Sequence, residues 1–289
     1  MKNKSLVLVI GESTGLECLR NLLKLRLLDI FLVVSVDPKY HKIIRKICKE
    51  NRIIFLTSNK FKNNYKKIKF KKKKNYFLFS IFSNLIIKKD FLKKFNKKAY
   101  NLHPGLLPYY PGKNCVSGVL FNDDKETGVS LHLMSEKVDR GLIIDKNKIK
   151  ILKKDNLLSL MQKLKLSGIN LFNKFINDLY YNKKILYKKN NFTLKKKFPK
   201  KIPNNGLISY KTKYLEFNNL IRASSFGPYK NTWGNLFFLY RNKKKYIKSV
   251  NKYFYLTKRR NEKIKFVEKI KSNIFNLKIE KKIIQVFTN

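Results

Sequence analysis

The chain has 289 residues, of which 43% are hydrophobic, which is enough for one large or two ordinary domains with buried cores. Its three cysteines, Cys18, Cys48 and Cys115, are an odd number in a chain of this length and form no Cys-x-x-Cys pair, so a reducing cytoplasm is expected. The apolar run Ser5–Ile10 is too short for a signal peptide, and no later run approaches ~18 residues, so we expect neither export nor a membrane span.

The formal net charge of +49 comes from 67 Lys and Arg residues against 18 Asp and Glu residues. Such an excess favours a nucleic acid or another anionic partner. Only nine of the basic residues are arginine, however, and lysine mainly gives non-specific attraction to phosphate. The chain is also rich in Asn, Ile and Phe, whose codons are A/T-rich like those of Lys. Genome base composition is therefore a second explanation for the charge.

The first half of the chain alternates buried strands with amphipathic helices, a pattern that predicts a parallel sheet. Strands are predicted at Ser5–Ile10, Ile30–Val36, Ile53–Leu56, Tyr76–Ile81 and Ala99–Leu102, and helices at Leu16–Leu27, Ile43–Cys48 and Ile86–Phe95. The lysine-rich residues 60–75 interrupt this pattern and are predicted to be a solvated surface segment.

The second half continues with a short helix, two strands and a long helix, and then changes character. The predicted elements are a helix at Val116–Phe121, strands at Gly128–Met134 and Leu142–Leu152, and a helix at Leu157–Tyr181. After a lysine-rich, proline-containing stretch, a helix is predicted at Tyr214–Ala223, followed by strands at Leu236–Tyr240, Tyr246–Val250, Tyr253–Leu256, Ile274–Ile279 and Lys282–Phe287.

These elements predict an α/β protein with a Rossmann-like, mostly parallel sheet in its N-terminal domain and a small, mainly β, barrel-like C-terminal domain. We place the first domain at residues 1–185, a lysine-rich linker at 186–204 and the second domain at 205–289.

Three polar residues are the strongest candidates for chemistry. Asn101 and His103 lie two residues apart at the end of a predicted strand, so their side chains project to the same face. Asp139 lies in a later turn, Val138-Asp139-Arg140-Gly141, from which it can fold back to orient the imidazole. An amide, an imidazole and a carboxylate arranged in this way are typical of an active site.

The motifs around these residues carry a family resemblance. Residues 100–143 contain, in order, Asn-Leu-His-Pro-Gly-Leu-Leu-Pro, Gly-Val-Ser-Leu-His-Leu-Met and Val-Asp-Arg-Gly-Leu-Ile. This combination resembles the signature of the folate-dependent formyltransferases, which include methionyl-tRNA formyltransferase, the nucleotide-sugar N-formyltransferases and glycinamide ribonucleotide transformylase. The resemblance covers about residues 1–180, and Ile208-Ser-Tyr210 with Asn219–Ala223 resembles the C-terminal domain of the tRNA enzymes and some sugar enzymes.

The resemblance implies transfer of a formyl group from 10-formyltetrahydrofolate, as co-substrate, to a primary amine, with no metal. That reaction passes through a tetrahedral oxyanion, for which Asn101 and the ring N–H of His103 are the expected donors, each contributing ~3 kcal/mol. Asp139 is expected to orient the imidazole and to take the amine proton, directly or through water. The resemblance also implies a folate pocket lined by Phe79, Ser80, Ile81, Phe82, Leu85, Leu107, Pro108, Glu136 and Val138.

Other polar residues received weaker interpretations. His132 lies on an alternating strand and is predicted to be a structural histidine, and His41 a surface one. Cys115 is a possible nucleophile that direct formyl transfer does not need. The turn Gly11–Gly15 lacks the middle glycine of a dinucleotide-binding loop, so the turn is expected to pack the first helix and to be open to an acceptor's phosphate.

Positions at which this sequence differs from the motifs of the tRNA enzymes bear on the acceptor amine. Gly105 follows the His-Pro pair where the tRNA enzymes carry Ser, and no long basic loop follows the second strand. These features favour an amino sugar nucleotide. The alternative is the amino group of methionyl initiator tRNA, which suits the positive charge and Arg222, and a phosphoribosylglycinamide-type acceptor ranks third. A deformylase and a basic RNA-binding protein on a decayed scaffold remain open as other classes.

Overall fold

The structure is a computed structural model, and it describes residues 4–227, 229, 231–255, 267–279 and 282–288. It divides into two compact units. The first comprises Met1–Lys113, Glu126–Lys150 and Gln162–Lys196, and the second comprises Asn114–Lys125, Ile151–Met161 and Lys197–Asn289. None of the helices formed by the described residues is long and apolar enough to cross a membrane.

The strands are β1 (Lys4–Ile10), β2 (Asp29–Ser35), β3 (Ile54–Thr57), β4 (Asn75–Ile81), β5 (Ala99–His103), β6 (Glu126–Leu133), β7 (Ile143–Lys150), β8 (Phe237–Tyr240), β9 (Lys243–Tyr255), β10 (Val267–Lys271), β11 (Ile274–Ile279) and β12 (Lys282–Thr288). The helices are α1 (Glu12–Leu25), α2 (His41–Glu50), α3 (Ser58–Asn64), α4 (Lys89–Lys93), α5 (Cys115–Phe121), α6 (Leu157–Tyr180) and α7 (Tyr214–Ser224). Short 3-10 turns lie at Pro38–Tyr40, Tyr65–Lys67, Phe192–Leu194 and Pro203–Gly206.

The first unit contains a seven-stranded sheet in the order β3-β2-β1-β4-β5-β6-β7. The strands from β3 to β5 are parallel, whereas β6 runs antiparallel to both β5 and β7. Strands β1 and β4 consist almost wholly of buried residues, as expected for central strands covered on both faces. The predicted fold class is confirmed for this unit.

The turn between β1 and α1 needs glycine because backbone from neighbouring segments lies very close to it. A Cβ atom on Gly11 would lie 2.2 Å from the carbonyl oxygen of Phe82, and one on Gly15 would lie 2.5 Å from the Cβ of Ile10. Both glycines therefore allow α1 to pack directly over the end of the sheet, which agrees with the packing role expected for this turn.

The lysine-rich segment before β4 differs from its prediction. We expected residues 60–75 to be solvated throughout, but Phe61 and Tyr65 are buried and Phe70 packs against Phe91 and Tyr76. The lysines between them remain largely exposed, so the segment is amphipathic. The predicted helix at Ile86–Phe95 is also shorter than expected, because only α4 forms within it.

The second unit contains a five-stranded antiparallel sheet in the order β10-β11-β12-β9-β8. Phe238, Phe275, Ile284 and Val286 are fully buried in it. This sheet confirms the predicted small β domain. The two strands predicted at Tyr246–Val250 and Tyr253–Leu256 form the single strand β9, and Leu256 lies outside the described residues.

Helices α5 and α7 pack together within the second unit. The hydroxyl of Ser117 donates to the carbonyl of Ala223 (2.9 Å), and the Asn219 amide donates to the carbonyl of Phe121 (3.2 Å). Arg222 is buried and donates to the carbonyl of Asp155 (2.9 Å) and to the carboxylate of Asp123 (3.0 Å). Arg222 therefore joins α7 to two loops of this unit, and these contacts account for its burial.

Candidate active site

The centre of the site is the pairing of β5 with β6. Asn101 lies directly opposite His132, and His103 lies directly opposite Ser130. Directly opposed residues in an antiparallel pair project to the same face, and so do residues two apart on one strand. These four side chains therefore share one face at the carboxyl end of β5, and the register alone brings His132 beside Asn101.

Asp139 reaches this face from the turn between β6 and β7. Its backbone is left-handed (φ 53°), and its carboxylate Oδ2 accepts a 2.7 Å hydrogen bond from the backbone N–H of Gly112. A Cβ atom on the nearby Gly141 would lie 1.6 Å from the carbonyl oxygen of Leu133. The Asp-x-Gly motif therefore has a physical basis, because only glycine lets the turn approach β6 so closely.

His103 is buried, and both of its ring nitrogens face protein groups. Nε2 lies 2.8 Å from the carbonyl oxygen of Tyr110, and Nδ1 lies 3.5 Å from Oδ2 of Asp139. A carbonyl can only accept, so Nε2 carries the proton of the neutral ring. Nδ1 is consequently the nitrogen that gains or gives a proton next to Asp139.

The carboxylate of Asp139 is held in its charged form. Burial alone would raise its pKa, but the charge of His103 and the hydrogen bond from the N–H of Gly112 lower the pKa well below its ordinary value. A buried carboxylate that stays ionised next to an imidazole favours the imidazolium form of that ring. The site thus places a fixed negative charge beside a ring nitrogen that can carry a proton.

The Asn101 amide nitrogen lies close to two acceptors. Nδ2 is 3.0 Å from Nε2 of His132 and 3.1 Å from Oδ1 of Asp139. His132 was expected to be a structural histidine, yet it contacts two of the three predicted catalytic residues and its Nε2 lies 3.4 Å from Oδ1 of Asp139. This contact was not predicted from the sequence because it depends on β6 running antiparallel to β5, whereas the strands before β6 run parallel.

The loop that follows His103 is fixed by hydrogen bonds from β6 and β7. The buried hydroxyl of Ser130 donates to the carbonyl of Gly105 (2.8 Å) and accepts from the N–H of Leu107 (3.0 Å). The ammonium of Lys146, opposite Ser130 on β7, donates to the carbonyl of Leu107 (2.6 Å). Burial, followed by Lys188 and Lys148, lowers the pKa of Lys146. Neither Ser130 nor Lys146 was singled out from the sequence.

The residues predicted to line a folate pocket fall into two groups. Those from β4 and the following loop are buried, as are Leu107 and Pro108, whereas Glu136 and Val138 are exposed. The ring of Phe79 is fully buried and packs against Phe172. Phe82 has a left-handed backbone (φ 44°) at the end of β4. Glu136 pairs with Lys89 (2.6 Å). Their role in folate binding stays a prediction.

The turn after β1 presents carboxylates rather than phosphate ligands. Glu12 lies in the first turn of α1 and keeps an exposed surface, but desolvation of its carboxyl group and the nearby Asp37 carboxylate raise the pKa of Glu12 to about 7. Two acidic groups at this helix end oppose binding of a phosphate, despite the favourable helix dipole. His41, expected at the surface, is partly buried, with Nε2 3.2 Å from the carbonyl oxygen of Ser35.

Two further expectations concern Cys115 and metals. Cys115 is buried at the start of α5 in the second unit. Among the described residues, no group of three or more His, Cys, Asp or Glu side chains could hold a metal ion.

The sheet is mostly parallel, and an amide, an imidazole and a carboxylate lie together at the carboxyl end of one strand. This arrangement is typical of an α/β enzyme domain. A model of the formyl transferase family matches residues 3–176, and the chain therefore belongs to the formyl transferase family. The resemblance to the formyltransferase superfamily is confirmed.

Two curated relatives support this assignment. The bifunctional polymyxin resistance protein ArnA of Wigglesworthia glossinidia brevipalpis is 32% identical over 217 residues, which is 72% of this chain and 32% of that protein. Methionyl-tRNA formyltransferase of Buchnera aphidicola is 36% identical over 146 residues, covering 50% of this chain and 45% of that protein. The matched regions thus span less than half of either relative's length.

The fold extends this similarity to the whole chain. The crystal structure of the N-formyltransferase from Helicobacter canadensis, in complex with folinic acid and dTDP-3-aminofucose, has a TM-score of 0.70 with this structure. That match covers 100% of both chains at 22% sequence identity. It therefore includes both units, whereas the family model covers only the N-terminal part.

Proposed function

We propose that this protein transfers the formyl group of 10-formyltetrahydrofolate to a primary amine. The observation that carries the proposal is the gathering of Asn101, His103 and Asp139, with contacts of 3.1 and 3.5 Å to one buried carboxylate, in a domain of the formyl transferase family. Folinic acid in the Helicobacter canadensis enzyme, which has the same fold, supports a folate as co-substrate.

The chemistry follows from the protonation states in the site. The amine nitrogen attacks the formyl carbon, and the former carbonyl oxygen becomes an oxyanion. Asn101 donates an amide N–H to that oxygen. Because Nε2 of His103 is bonded to Tyr110, its Nδ1–H, 3.5 Å from Asp139 Oδ2, is shared between that carboxylate and the oxyanion. Asp139 balances the imidazolium charge. The bond between the formyl carbon and N10 of the folate then breaks. The amine proton passes through Asp139 or water to N10, so no net proton is gained or lost.

For the acceptor, we propose the amino group of a nucleotide sugar. The supporting observation is the match of fold over the full length of the Helicobacter canadensis N-formyltransferase, whose complex contains dTDP-3-aminofucose. The acidic pair of Glu12 and Asp37 also suits hydroxyl or ammonium groups of an acceptor better than a phosphate at the end of β1.

The second candidate acceptor is methionyl initiator tRNA. The Buchnera methionyl-tRNA formyltransferase supports it with 36% identity over half of this chain. The net charge of +49 is compatible with an RNA acceptor, although it is supplied mostly by lysine. A phosphoribosylglycinamide-type acceptor ranks third.

The test is a transfer assay with purified protein and 10-formyltetrahydrofolate against a panel of amino-sugar nucleotides, methionyl-tRNA and phosphoribosylglycinamide. Formylation of one or more amino-sugar nucleotides, with little transfer to methionyl-tRNA, is the expected result. Fast formylation of methionyl-tRNA with no sugar product would overturn the proposed acceptor. Release of formate without any formylated amine would instead identify a deformylase.

Two variants test the site itself. Asn101→Ala and His103→Ala are each expected to lower kcat by about 100- to 1000-fold, as loss of an oxyanion donor does in other acyl-transfer enzymes. His41→Gln serves as the matched control, because it replaces another histidine of the same unit that lies outside this group of residues. Unchanged transfer by both alanine variants would refute the assigned site, and no transfer by the wild-type protein would favour a non-enzymatic, RNA-binding role.

A further inference from the structure

His132 is a buried histidine that makes two contacts within the site and one outside it. Nδ1 lies 2.9 Å from the carbonyl oxygen of Leu133, and Nε2 lies 3.0 Å from Asn101 Nδ2 and 3.4 Å from Asp139 Oδ1. The carbonyl of Leu133 can only accept, so the neutral ring carries its proton on Nδ1. Nε2 is then a bare acceptor aimed at the Asn101 amide.

The geometry around Asn101 decides which of its atoms remain for a substrate. The triangle with sides of 3.0, 3.1 and 3.4 Å subtends about 68° at Nδ2. The two N–H bonds of a planar amide diverge by about 120°, so Asn101 either gives one N–H to each acceptor, about 26° off line, or shares one N–H between them, about 34° off line, and only sharing leaves an N–H for a substrate. The structure gives Nδ2 no third acceptor among the described residues. In the shared arrangement the second N–H points away from both acceptors and is available for the formyl oxygen.

We propose that His132 is a positioning residue, which, with Asp139, clamps one N–H of Asn101 so that the other N–H faces the oxyanion. An amide turned by 180° would bring its oxygen against the carboxylate, which is unfavourable. The lone pair of His132 adds a second acceptor on the same side and fixes the plane of the amide. The inference rests on the proposed function, since it assigns Asn101 to the oxyanion.

The tautomers of the two site histidines differ in this arrangement. His103 carries its neutral-ring proton on Nε2, toward Tyr110, whereas His132 carries it on Nδ1, toward Leu133. The titratable groups facing His132 among the described residues are Asp139 and, across that carboxylate, His103. Asp139 thus has one imidazole on each oxygen, and only the neutral form of His132 can accept from Asn101.

The chain has three histidines, so nitrogen NMR of histidine-labelled, full-length protein can read each ring separately. Signals are assigned with His41→Gln and His132→Gln. We expect opposite neutral tautomers for His103 and His132, with the proton of His132 on Nδ1. A proton on Nε2 of His132, or a charged His132 ring at neutral pH, would overturn the proposal. This measurement does not depend on any enzymatic activity.

The kinetic test compares two substitutions at the same position. Gln places an acceptor oxygen near the site of Nε2, whereas Leu fills similar space without one. His132→Leu is expected to lower kcat by about 10- to 100-fold, with KM values for both substrates within about twofold of the wild type, and His132→Gln to recover most of kcat. Equal loss in the two variants, or no loss in either, would contradict the clamp. Circular dichroism and thermal unfolding check that both variants fold.

If the wild-type protein transfers formyl to no amine tested, the proposed function fails, and the NMR tautomers then test only whether His132 accepts from the Asn101 amide. If transfer is observed but His132→Leu retains full kcat, the clamp fails while the proposed function stands. The two failures are therefore distinguishable.

Discussion

Two carboxyl groups at the same edge of the seven-stranded sheet have pKa values shifted in opposite directions. Asp139, beside the end of β5, faces two imidazoles, the Asn101 amide and a backbone N–H, and its pKa is lowered. Glu12, directly after β1, faces Asp37, and desolvation with that second negative charge raises its pKa to about 7. Desolvation opposes ionisation of both carboxyl groups, although Asp139 is buried and Glu12 keeps an exposed surface, so the partners determine the charge state. The edge therefore combines a fixed anion beside the candidate catalytic residues with a titrating acid at the end of β1.

The largest expected effect comes from removing the fixed charge. Asp139→Asn keeps the size of the side chain but cannot balance an imidazolium, so kcat should fall by about 1000-fold or more. Steady-state kinetics with 10-formyltetrahydrofolate measures this change. Asp145→Asn is the control, because it lies nearby on β7 and pairs with the exposed Lys174. Retention of more than a tenth of kcat in Asp139→Asn would show that the paired carboxylate is not needed.

The same variant tests stability against pH. The folded pKa of Asp139 lies below that of the unfolded chain (about 3.9), so its stabilising contribution is complete above that value and is lost as pH falls through the folded pKa. The stability advantage of wild type over Asp139→Asn should therefore shrink as pH falls from about 5 toward 2. Urea unfolding over this range measures the difference, and a constant difference would contradict the assigned shift.

A second substitution disturbs the position of the carboxylate without changing its chemistry. In Gly141→Ala the new Cβ would meet the Leu133 carbonyl at 1.6 Å, so the turn carrying Asp139 must move, at a cost of about 3 kcal/mol or more. Gly112→Ala is the comparison for stability alone, because its N–H binds Asp139; nothing lies within 4 Å of its Cβ position, and only its left-handed backbone (φ 85°) is strained, which costs about 1–2 kcal/mol. Chemical denaturation measures both variants and kcat only Gly141→Ala, and equal costs in stability would contradict the contact.

The loop beside the site provides a smaller effect with a built-in control. Ser130→Ala leaves the buried Gly105 carbonyl and Leu107 N–H without their partner, and should cost about 1–3 kcal/mol and lower kcat. Ser35 is equally buried on β2, but its hydroxyl has no hydrogen-bond partner among the described residues. Ser35→Ala should therefore be close to neutral. A cost for Ser35→Ala as large as for Ser130→Ala would remove the argument from hydrogen bonding.

The smallest expected effect concerns Glu12, whose pKa is raised. The raised pKa of Glu12 means that its contribution to stability is complete below the unfolded value of about 4.5 and is lost as pH rises through about 7. Glu12→Gln should match wild type at pH 4 and be slightly more stable at pH 8, as measured by thermal unfolding. Glu17→Gln, on the same helix but paired with Arg20 (3.0 Å), should show no such gain. Lower stability of Glu12→Gln at pH 8 would mean that Glu12 has a favourable partner.

The fold class was predictable because its signals are local. Continuous apolar runs closed by glycine turns, such as β1 followed by Gly11, indicate buried parallel strands, and alternating strands and helices indicate a parallel sheet. Where the prediction failed, side-chain burial had been judged from charge. Phe61, Tyr65 and Phe70 belong to the core although lysines surround them, because an amphipathic segment buries one side and keeps the other in water.

The amino-acid sequence by itself determined the family and the candidate trio of Asn101, His103 and Asp139, because strand periodicity and a glycine turn are encoded by neighbouring residues. Only the tertiary structure decided that His132, Ser130 and Lys146 belong beside them. Their place depends on the register of β6 between β5 and β7, which joins residues far apart in the chain. The tautomers of the two histidines likewise depend on the carbonyls of Tyr110 and Leu133. Every residue has a backbone carbonyl, so residue identities cannot predict these contacts.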